Sequence, residues 1–389
     1  AGEIRLGAGA EVTGRTVELN GPNIVMSALQ SSTDATLTPG TVATLSSVGT
    51  APAVLSPSGS VTMVGTRIDL ADARVESGTA LRLLTPGSPN CTGGGCDPLL
   101  HIGPGNTVRA GTTLEFSSSQ PQSRLIMDDQ RYPQGGLTVA NATRLGAAST
   151  VTSSGTATIG AAEVDIQAAQ IRSTQGRLDL GSFGTSSANC ATTGAATCPA
   201  QVRLGAQTVL ATGAPQGAAT GLEVSVSAEQ LRLDDVLRRR SFDANGLING
   251  TSTEAGTAGP LLQAQGPIVL WAGKRFINES QRTDLLQPGL GGGGESWTVF
   301  SGNPEPLSGA SADVTGNLVA DFLQFSFVRG VTVRAQAGRG LLYALSPQVQ
   351  LNLPTLSKVY DGSAAFDIAP SALSVQNATG LLPGQRLRS

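Results

Sequence analysis

The chain has 389 residues, a formal net charge of −3 and an isoelectric point near 5.3. This balance predicts no nucleic-acid partner, because nucleic-acid binding proteins usually carry a clustered excess of Lys and Arg. The 50 glycines and only 4% aromatic residues favour short strands and turns over a core of large side chains. No apolar run reaches the roughly 18 residues of a membrane-spanning helix, and no charged segment followed by an apolar one opens the chain.

Short alternating runs fill much of the chain, starting with Ile4-Arg5-Leu6. Because the sequence is strand-like from its first residues, we expect that residue 1 is not the start of the gene product. One local pattern occurs twice, and in each copy the runs begin seven residues apart: at Val61, Ile68 and Val75, and at Ala157, Val164 and Ile171. Such alternation directs two apolar side chains to one face and a polar side chain to the other.

Strands this short cannot fold alone, but they can stack. If the chain returns over itself after about three strands, each coil of about 20 residues pairs with the next and shares an apolar interior. The sequence therefore predicts an all-β protein, a right-handed parallel β-helix (solenoid). Helix is expected to be minor, and the best candidate for an amphipathic helix is the stretch 228–240.

Each copy of the repeated pattern leads into a loop rich in Gly, Ser and Thr that carries two cysteines. The cysteines are Cys91 and Cys96 in the first loop and Cys190 and Cys198 in the second. Four cysteines allow three pairings, and the short loops favour disulfides within each loop. Disulfides imply an oxidising compartment. A four-cysteine zinc site, although its usual spacing differs, and free thiols are the alternative interpretations.

Two adjacent acidic pairs, Asp128-Asp129 and Asp234-Asp235, are candidates for the carboxylate chemistry of β-helical polysaccharide lyases and glycosidases. On a strand the two members of such a pair point to opposite faces, so we expect turn or cap residues instead. Asp69 and Asp165 hold equivalent outward positions in the two repeats, where a solvated polar face explains them.

The only histidine, His101, lies opposite the apolar pair Leu100 and Ile102, and we expect it to be exposed. The densest basic cluster, Arg238-Arg239-Arg240, is expected to be a solvated loop. The sequence has no serine nucleophile elbow, metal-binding helix or phosphate loop. We therefore predict no catalytic residue, no cofactor and no metal. Acceptor patterns for N-glycosylation are present at Asn141, Asn249, Asn278 and Asn377.

The last third of the chain holds most of the aromatic residues, which suggests that larger side chains close the end of the solenoid. Four motifs follow in order: Phe276-Ile277-Asn278, the segment 297–304, Gly340-Leu341-Leu342-Tyr343, and Lys358-Val359-Tyr360-Asp361-Gly362. In this order they resemble the filamentous haemagglutinin family of bacterial exoproteins, in which a β-helical shaft leads into small "YDG" repeats. The resemblance covers about residues 266 to 389.

This resemblance implies a division into a shaft (1–265), C-terminal coils with a closing block (266–356) and the start of a YDG-type β-sandwich (357–389). It implies a secreted or surface-bound protein of a Gram-negative bacterium, exported by two-partner secretion through an outer-membrane barrel transporter. The expected function is a rigid, non-enzymatic adhesin stalk for attachment, aggregation or biofilm matrix. Its expected partners are surface glycans or proteins and, end to end, further copies of itself.

Two alternatives remain open. One is a β-helical carbohydrate-active enzyme, and the other is an exoprotein that captures a ligand such as haem or a host protein through its cysteine loops.

Overall fold

The computed structural model describes residues 3–7, 10–12, 17–20, 23–27, 29–31, 43–48, 53–55, 58–85, 98–118, 120, 123–132, 137–138, 146–182, 185–186, 198–213, 223–242, 248–289, 296–302, 313–328, 331–332, 337–344, 348–352 and 374–379. These residues contain strands and no helix. The all-β prediction is therefore confirmed for the part of the chain that is described.

The first strands are β1 (Glu3–Leu6), β2 (Glu11–Val12), β3 (Val17–Asn20), β4 (Asn23–Ser27), β5 (Leu29–Ser31), β6 (Ala43–Val48), β7 (Ala53–Leu55), β8 (Val61–Val64), β9 (Arg67–Ala71), β10 (Ala73–Ser77), β11 (Leu81–Leu84) and β12 (Leu99–Ile102). They are followed by β13 (Thr107–Ala110), β14 (Leu114–Ser117), β15 (Arg124–Met127), β16 (Leu137–Thr138), β17 (Ser149–Ser153), β18 (Ala157–Ala161), β19 (Glu163–Ile166), β20 (Ala169–Ser173), β21 (Leu178–Ser182), β22 (Thr185–Ser186), β23 (Cys198–Pro199) and β24 (Gln201–Leu204). The last are β25 (Val209–Thr212), β26 (Val224–Leu233), β27 (Val236–Phe242), β28 (Ile248–Ala255), β29 (Leu261–Gln263), β30 (Ile268–Asn278), β31 (Leu286–Gln287), β32 (Trp297–Ser301), β33 (Phe322–Gln324), β34 (Gly340–Tyr343), β35 (Gln348–Asn352) and β36 (Ser374–Thr379).

Most strands belong to three parallel ladders that the chain visits in turn, which makes the molecule solenoid-like. Ladder 1 contains β3, β8, β11, β14, β18, β21, the first halves of β26 and β30, then β32, β34 and β33. Ladder 2 contains β1, β4, β9, β12, β15, β19, β24 and the second halves of β26 and β30. Ladder 3 contains β2, β7, β10, β13, β17, β20, β25, β29 and β31.

Register is kept from coil to coil, so equivalent residues stack into columns. One inward column of ladder 1 runs through Val61, Leu81, Leu114, Ala157, Leu178, Val224, Ile268 and Trp297. All of these side chains are buried in a single apolar cluster that extends from Val17 to Tyr343. The seven-residue step of the sequence thus produces one continuous core shared by all three ladders.

The turns between ladders are also repeated. The corner from ladder 2 to ladder 3 uses a left-handed residue in four coils: Asp72, Gly105, Ala168 and Gln207. At the corner from ladder 3 to ladder 1, an added Cβ at Gly111 would lie 2.0 Å from the carbonyl oxygen of Gly78 in the preceding coil. Only glycine allows the backbones of successive coils to approach this closely.

The stretch 228–240, the best candidate for an amphipathic helix, contains no helix. Residues 228–233 form the second half of β26, which pairs with β24 on one side and β30 on the other, and 236–240 belong to β27. Leu231 and Leu233 point into the shared core and are fully buried. Pairing on both edges satisfies the backbone and overrides a weak local preference for helix.

Eight of the described strands form antiparallel pairs outside the ladders, among them β5 with β6 and β22 with β23. β27 and β28 pair antiparallel over Val236–Ala255 and Phe242–Ile248, and this hairpin is called the clamp hairpin below. β35 and β36 form another antiparallel pair, the terminal hairpin. The predicted boundaries at 265 and 356 and the β-sandwich remain predictions, although ladders 1 and 2 continue without interruption through residue 265.

Candidate functional site

The outward column of ladder 2 carries charged residues where a solvated strand usually carries Ser or Thr. Its members, in register order, are Val25, Asp69, His101, Ile126, Asp165, Arg203, Arg232 and Ile277. The clamp hairpin covers the middle of this column. Together they enclose a buried layer of charged side chains, called the charge layer below.

His101 is held between two carboxylates. Its Nδ1 lies 2.9 Å from Oδ1 of Asp69, and its Nε2 lies 3.0 Å from Oδ1 of Asp128. All three side chains have no exposed surface. The imidazole ring stacks on Tyr132 with centroids 3.5 Å apart. A ring with an acceptor at each nitrogen is satisfied best as the doubly protonated imidazolium.

The pKa of His101 reflects this geometry. Burial by itself lowers the pKa, but the charges and hydrogen bonds of Asp69 and Asp128 outweigh it and raise the pKa above 6.5. Burial by itself raises the pKa of Asp128, but His101 and Arg240 outweigh it and lower the pKa of this carboxyl below its ordinary value. Both shifts favour the charged forms, an imidazolium facing a carboxylate.

Asp128 is saturated with donors. Besides His101, it accepts hydrogen bonds from the backbone N–H of Gln130 at 3.0 Å and from the hydroxyl of Tyr132 at 2.9 Å. Arg240 of the clamp hairpin donates to its second oxygen at 2.8 Å. Burial, together with Asp128, raises the pKa of Tyr132 well above 10, so this residue remains a donor.

Arg240 joins two coils. Its guanidinium binds Asp128 at 2.8 Å and Asp165 at 2.5 Å, and only 5% of the side chain is exposed. Burial lowers its pKa, but the surrounding anions overcome that effect and raise the pKa, which keeps Arg240 charged. Arg238 reaches the same Asp165 oxygen at 3.2 Å.

Arg203 is the other buried cation. It donates to Asp165 at 2.7 Å and forms a two-pronged contact with Asp234 at 2.6 and 2.9 Å. It also donates to the carbonyl of Val236, at the start of the clamp hairpin, at 2.6 Å. Burial raises the pKa of Asp165, but Arg203, Arg240 and Arg238 together lower it far below its ordinary value.

Two carboxamides fasten the hairpin backbone to this layer. Gln167 accepts from the N–H of Arg238 at 2.7 Å and donates to its carbonyl at 2.7 Å. Gln130 makes the same double contact with Arg240, at 2.8 and 3.4 Å. Each glutamine therefore replaces a neighbouring strand for one residue of β27, which is how a hairpin that pairs with no ladder is held in place.

Several sequence predictions fail at this layer. His101 points outward as expected but is buried, and Asp69 and Asp165 are equivalent outward residues but are not solvated. Arg238-Arg239-Arg240 lies on a strand, with Arg240 buried. Asp128 and Asp234 are turn residues that also bind the buried cations. The physical reason is tertiary cover of a face that local alternation assigns to solvent. Tyr132 stacks on His101, and the clamp hairpin lies over Asp165 and Arg203.

The second residues of the two acidic pairs, Asp129 and Asp235, have fewer contacts. Asp129 binds Arg239, which also binds Glu254 on β28. Asp235 accepts a hydrogen bond from the N–H of Gln281 at 2.7 Å. Neither adjacent acidic pair places two carboxylates side by side around an open groove.

The predicted modification sites have different outcomes. Asn249 is exposed on β28. Asn278 is buried, and its carboxamide donates to the carbonyl of Thr315 at 3.0 Å and accepts from Ser280, so the folded chain has no room for a glycan there. Asn141 lies outside the described residues, and only the backbone of Asn377 is described, in β36. Cys91, Cys96 and Cys190 also lie outside them, and Cys198 is described only as a backbone position of β23.

A signal for the charge layer was present in the sequence. Asp69, His101, Asp165 and Arg203 occupy the same place in four coils, between two apolar residues. Complementary charges at one repeat position predict contact between neighbouring coils. What the pattern lacks is any sign that residues 236–255 would fold over them.

Within the described residues, no three or more His, Cys, Asp or Glu side chains are grouped to hold a metal ion. No described segment forms a helix of the length and apolarity that a bilayer crossing requires. Comparisons with family models, curated proteins and solved structures each return no match.

Proposed function

We propose that this chain is the shaft of a secreted or cell-surface structural adhesin of a Gram-negative bacterium, similar to filamentous haemagglutinin. In this proposal the three ladders form a right-handed parallel β-helix, and residues 357–389 begin a YDG-type β-sandwich. The observation that carries the proposal is the stack of in-register strands around one unbroken core, since a stack of this kind forms a rigid spacer.

The state of the acidic residues favours a structural function over an enzymatic one. Cleavage of a polysaccharide needs a general acid and a base or nucleophile that reach the substrate. Asp69, Asp128 and Asp165 have no exposed surface, and each faces buried or partly buried cations. Buried carboxylates that are paired with cations are unsuited to proton transfer with a bound glycan.

The proposed partners follow from the family resemblance. They are an outer-membrane barrel transporter for export, and a glycan or protein of a host or bacterial surface for adhesion. End-to-end contact between copies would extend the shaft. Capture of a ligand by the cysteine loops is the alternative within binding proteins, and those loops lie outside the described residues.

The shaft can be tested by shape. Ladder 1 contains eleven strands of the described chain, from β3 to β33. At about 4.8 Å per strand, this stack is roughly 50 Å long. Small-angle X-ray scattering of the purified chain should give a rod with at least this core length. A spherical scattering profile would contradict the shaft.

Adhesion is tested in cells that carry the complete gene. We expect deletion of the gene to reduce surface attachment or aggregation several-fold while polysaccharide turnover stays constant. Deletion of the cognate transporter should retain the protein in the periplasm and reproduce the same loss. Unchanged attachment, together with a polysaccharide-cleaving activity that disappears with the gene, would instead favour the carbohydrate-active enzyme.

A further inference from the structure

A cavity of about 440 Å³ lies near the C-terminal end of the stack and is called the end cavity below. Exposed residues form its mouth, among them Val319, which is 70% exposed, while Trp297 in its lining is buried. Binding sites for small molecules usually measure about 300–1,000 Å³. The end cavity therefore has the volume and the access that a small ligand requires.

The end cavity exists because two ladders stop at different levels. Ladder 3 ends at β31, which pairs only with β29 among the described strands. Ladder 1 continues beyond this level, since β32, the next strand of the chain, is followed in the ladder by β34 and β33. Leu286 and Gln287 of β31 line the notch that remains, and residues 317–319 and Arg339 also line it.

One part of the lining is apolar. Leu286 and Leu318 pack against the shared core but remain partly exposed, and they line the end cavity together with Pro288 and Trp297. A ligand that covers partly exposed apolar side chains removes them from water, which favours binding. The end cavity therefore suits a ligand with an apolar face.

The other part of the lining is polar and is held in place by internal hydrogen bonds. Gln287 accepts from the carboxamide of Gln263 at 2.9 Å and donates to Asp284 at 3.1 Å. Asn317 donates to the backbone carbonyl of Gln281 at 3.0 Å. Each carboxamide has two N–H groups and two lone pairs, so Gln287 and Asn317 keep capacity for a ligand. Because they are already ordered, binding costs them little entropy.

The charges of the end cavity are balanced. Both oxygens of Asp284 accept from Arg282, at 2.9 and 2.7 Å, and Arg339 donates to Asp321 at 2.9 Å. An ionic ligand would have to compete with these partners, whereas a neutral ligand leaves them intact. An acyl chain would leave the carboxamides without the water they now bind. A sugar residue fits both parts of the lining, because one face of a pyranose ring presents C–H groups and its hydroxyls lie around the edge.

We propose that the end cavity binds one neutral sugar residue of a glycan. The C–H face of the sugar packs on Leu286, Pro288 and Leu318, and its hydroxyls bind the carboxamides of Gln287 and Asn317. This inference rests on the proposed function, since it assigns the glycan contact of the adhesin to one site. The site holds the sugar without cleaving it, because the carboxylate in its lining, Asp284, is paired with Arg282.

The test measures sugar binding to the purified full chain by saturation-transfer NMR. The probes are the methyl glycosides of glucose, galactose, mannose and N-acetylglucosamine at millimolar concentration. We expect transfer from the unaltered chain to at least one of them. Asn317→Ala should weaken that binding by about three- to tenfold, the effect of one hydrogen bond. Asn249→Ala, at an exposed asparagine on the clamp hairpin, is the matched control and should bind as the unaltered chain does.

A second pair of variants tests access. Val319 and Val331 are 70% and 77% exposed, and only Val319 belongs to the lining of the end cavity. Val319→Arg places a long charged side chain at the mouth and should reduce transfer by about tenfold or more. Val331→Arg makes the same change outside the cavity and should leave transfer unaltered. Circular dichroism of all four variants checks that the fold is kept.

Three results would overturn the end-cavity proposal. The first is no transfer to any of these glycosides from the unaltered chain. The second is equal transfer in the unaltered chain, N317A and V319R, which places the sugar elsewhere. The third is an equal loss in each variant and its control.

The adhesin proposal is decided separately, by attachment after deletion of the gene. Reduced attachment without sugar binding refutes the end-cavity proposal alone. Sugar binding that is lost only in N317A and V319R supports the end-cavity proposal, and unchanged attachment would then refute the adhesin proposal alone.

Discussion

Two Arg–carboxylate pairs in the same register arrangement differ in solvent exposure because of what lies over them. Arg82 and Glu115 are register partners on the outer side of ladder 1, 3.3 Å apart and about half exposed. Asp165 and Arg203 are register partners on the outer side of ladder 2, 2.7 Å apart and 1% exposed. Nothing in the strands themselves separates the two pairs. The difference is the clamp hairpin, which covers one ladder and leaves the other in water.

The largest effect is expected from removing the buried cation, Arg203, and the exposed Arg82 provides the matched control. Arg203→Met leaves Asp165 and Asp234 buried with fewer donors, and we expect the free energy of unfolding to fall by about 3–5 kcal/mol. Arg82→Met removes an exposed pair and should cost about 1 kcal/mol or less. Urea unfolding of both variants followed by circular dichroism measures the two values. Equal losses would show that the hairpin does not change the dielectric surroundings of ladder 2.

The next effect is expected at His101. The substitution His101→Gln keeps one donor where two are needed, and we expect a loss of about 2–4 kcal/mol at pH 6. His101→Gln should also change the pH dependence of stability, because the chain contains a single histidine.

The sign of that pH dependence follows from the pKa directions. The folded pKa of His101 is raised, so its contribution is complete below the unfolded value of about 6.5 and is lost as the pH rises through the folded pKa. The folded pKa values of Asp128 and Asp165 are lowered, so their contributions are lost only as the pH falls through those values. Thermal unfolding between pH 4 and pH 9 should show a decline on the alkaline side that H101Q lacks. The same decline in both proteins would assign it to other groups.

A smaller effect is expected at two glycines that differ in the space around them. An added Cβ at Gly103 would lie 2.8 Å from the carbonyl oxygen of Gln130 and 2.9 Å from the His101 ring. Gly103→Ala should therefore cost about 1–3 kcal/mol. At Gly181 the nearest atom is 3.9 Å away, so Gly181→Ala should be neutral or stabilise by up to about 1 kcal/mol. Melting temperatures of the two variants decide the point, and a neutral Gly103→Ala would mean that the charge layer tolerates displacement.

These comparisons also explain which features the sequence could predict. The period-2 alternation and the seven-residue step lead correctly to stacked short strands, because both are properties of single coils and of their repetition. The outward direction of Asp69, His101 and Asp165 follows from the same alternation. The burial of Asp165 does not follow from alternation, because it depends on a hairpin that begins more than 70 residues later in the chain. Arg240 of that hairpin, which binds Asp165, is 75 residues away.

The helix candidate at 228–240 forms strands for a related reason. Over so few residues its apolar pattern is compatible with the helical period of 3.6 and with the strand period of 2. Pairing with β24 and β30 selects the strand. Non-local pairing outweighs a local preference wherever both edges of a segment find partners.

The charge layer also sets an order of events during synthesis of the chain. Asp128 meets Arg240 across 112 residues and Asp165 meets it across 75. Coils formed from the N-terminal side therefore keep this acidic face hydrated and pliable until the segment 236–255 arrives. The hairpin then binds three coils at once. The charged outer layer of this stack therefore forms later than its apolar interior.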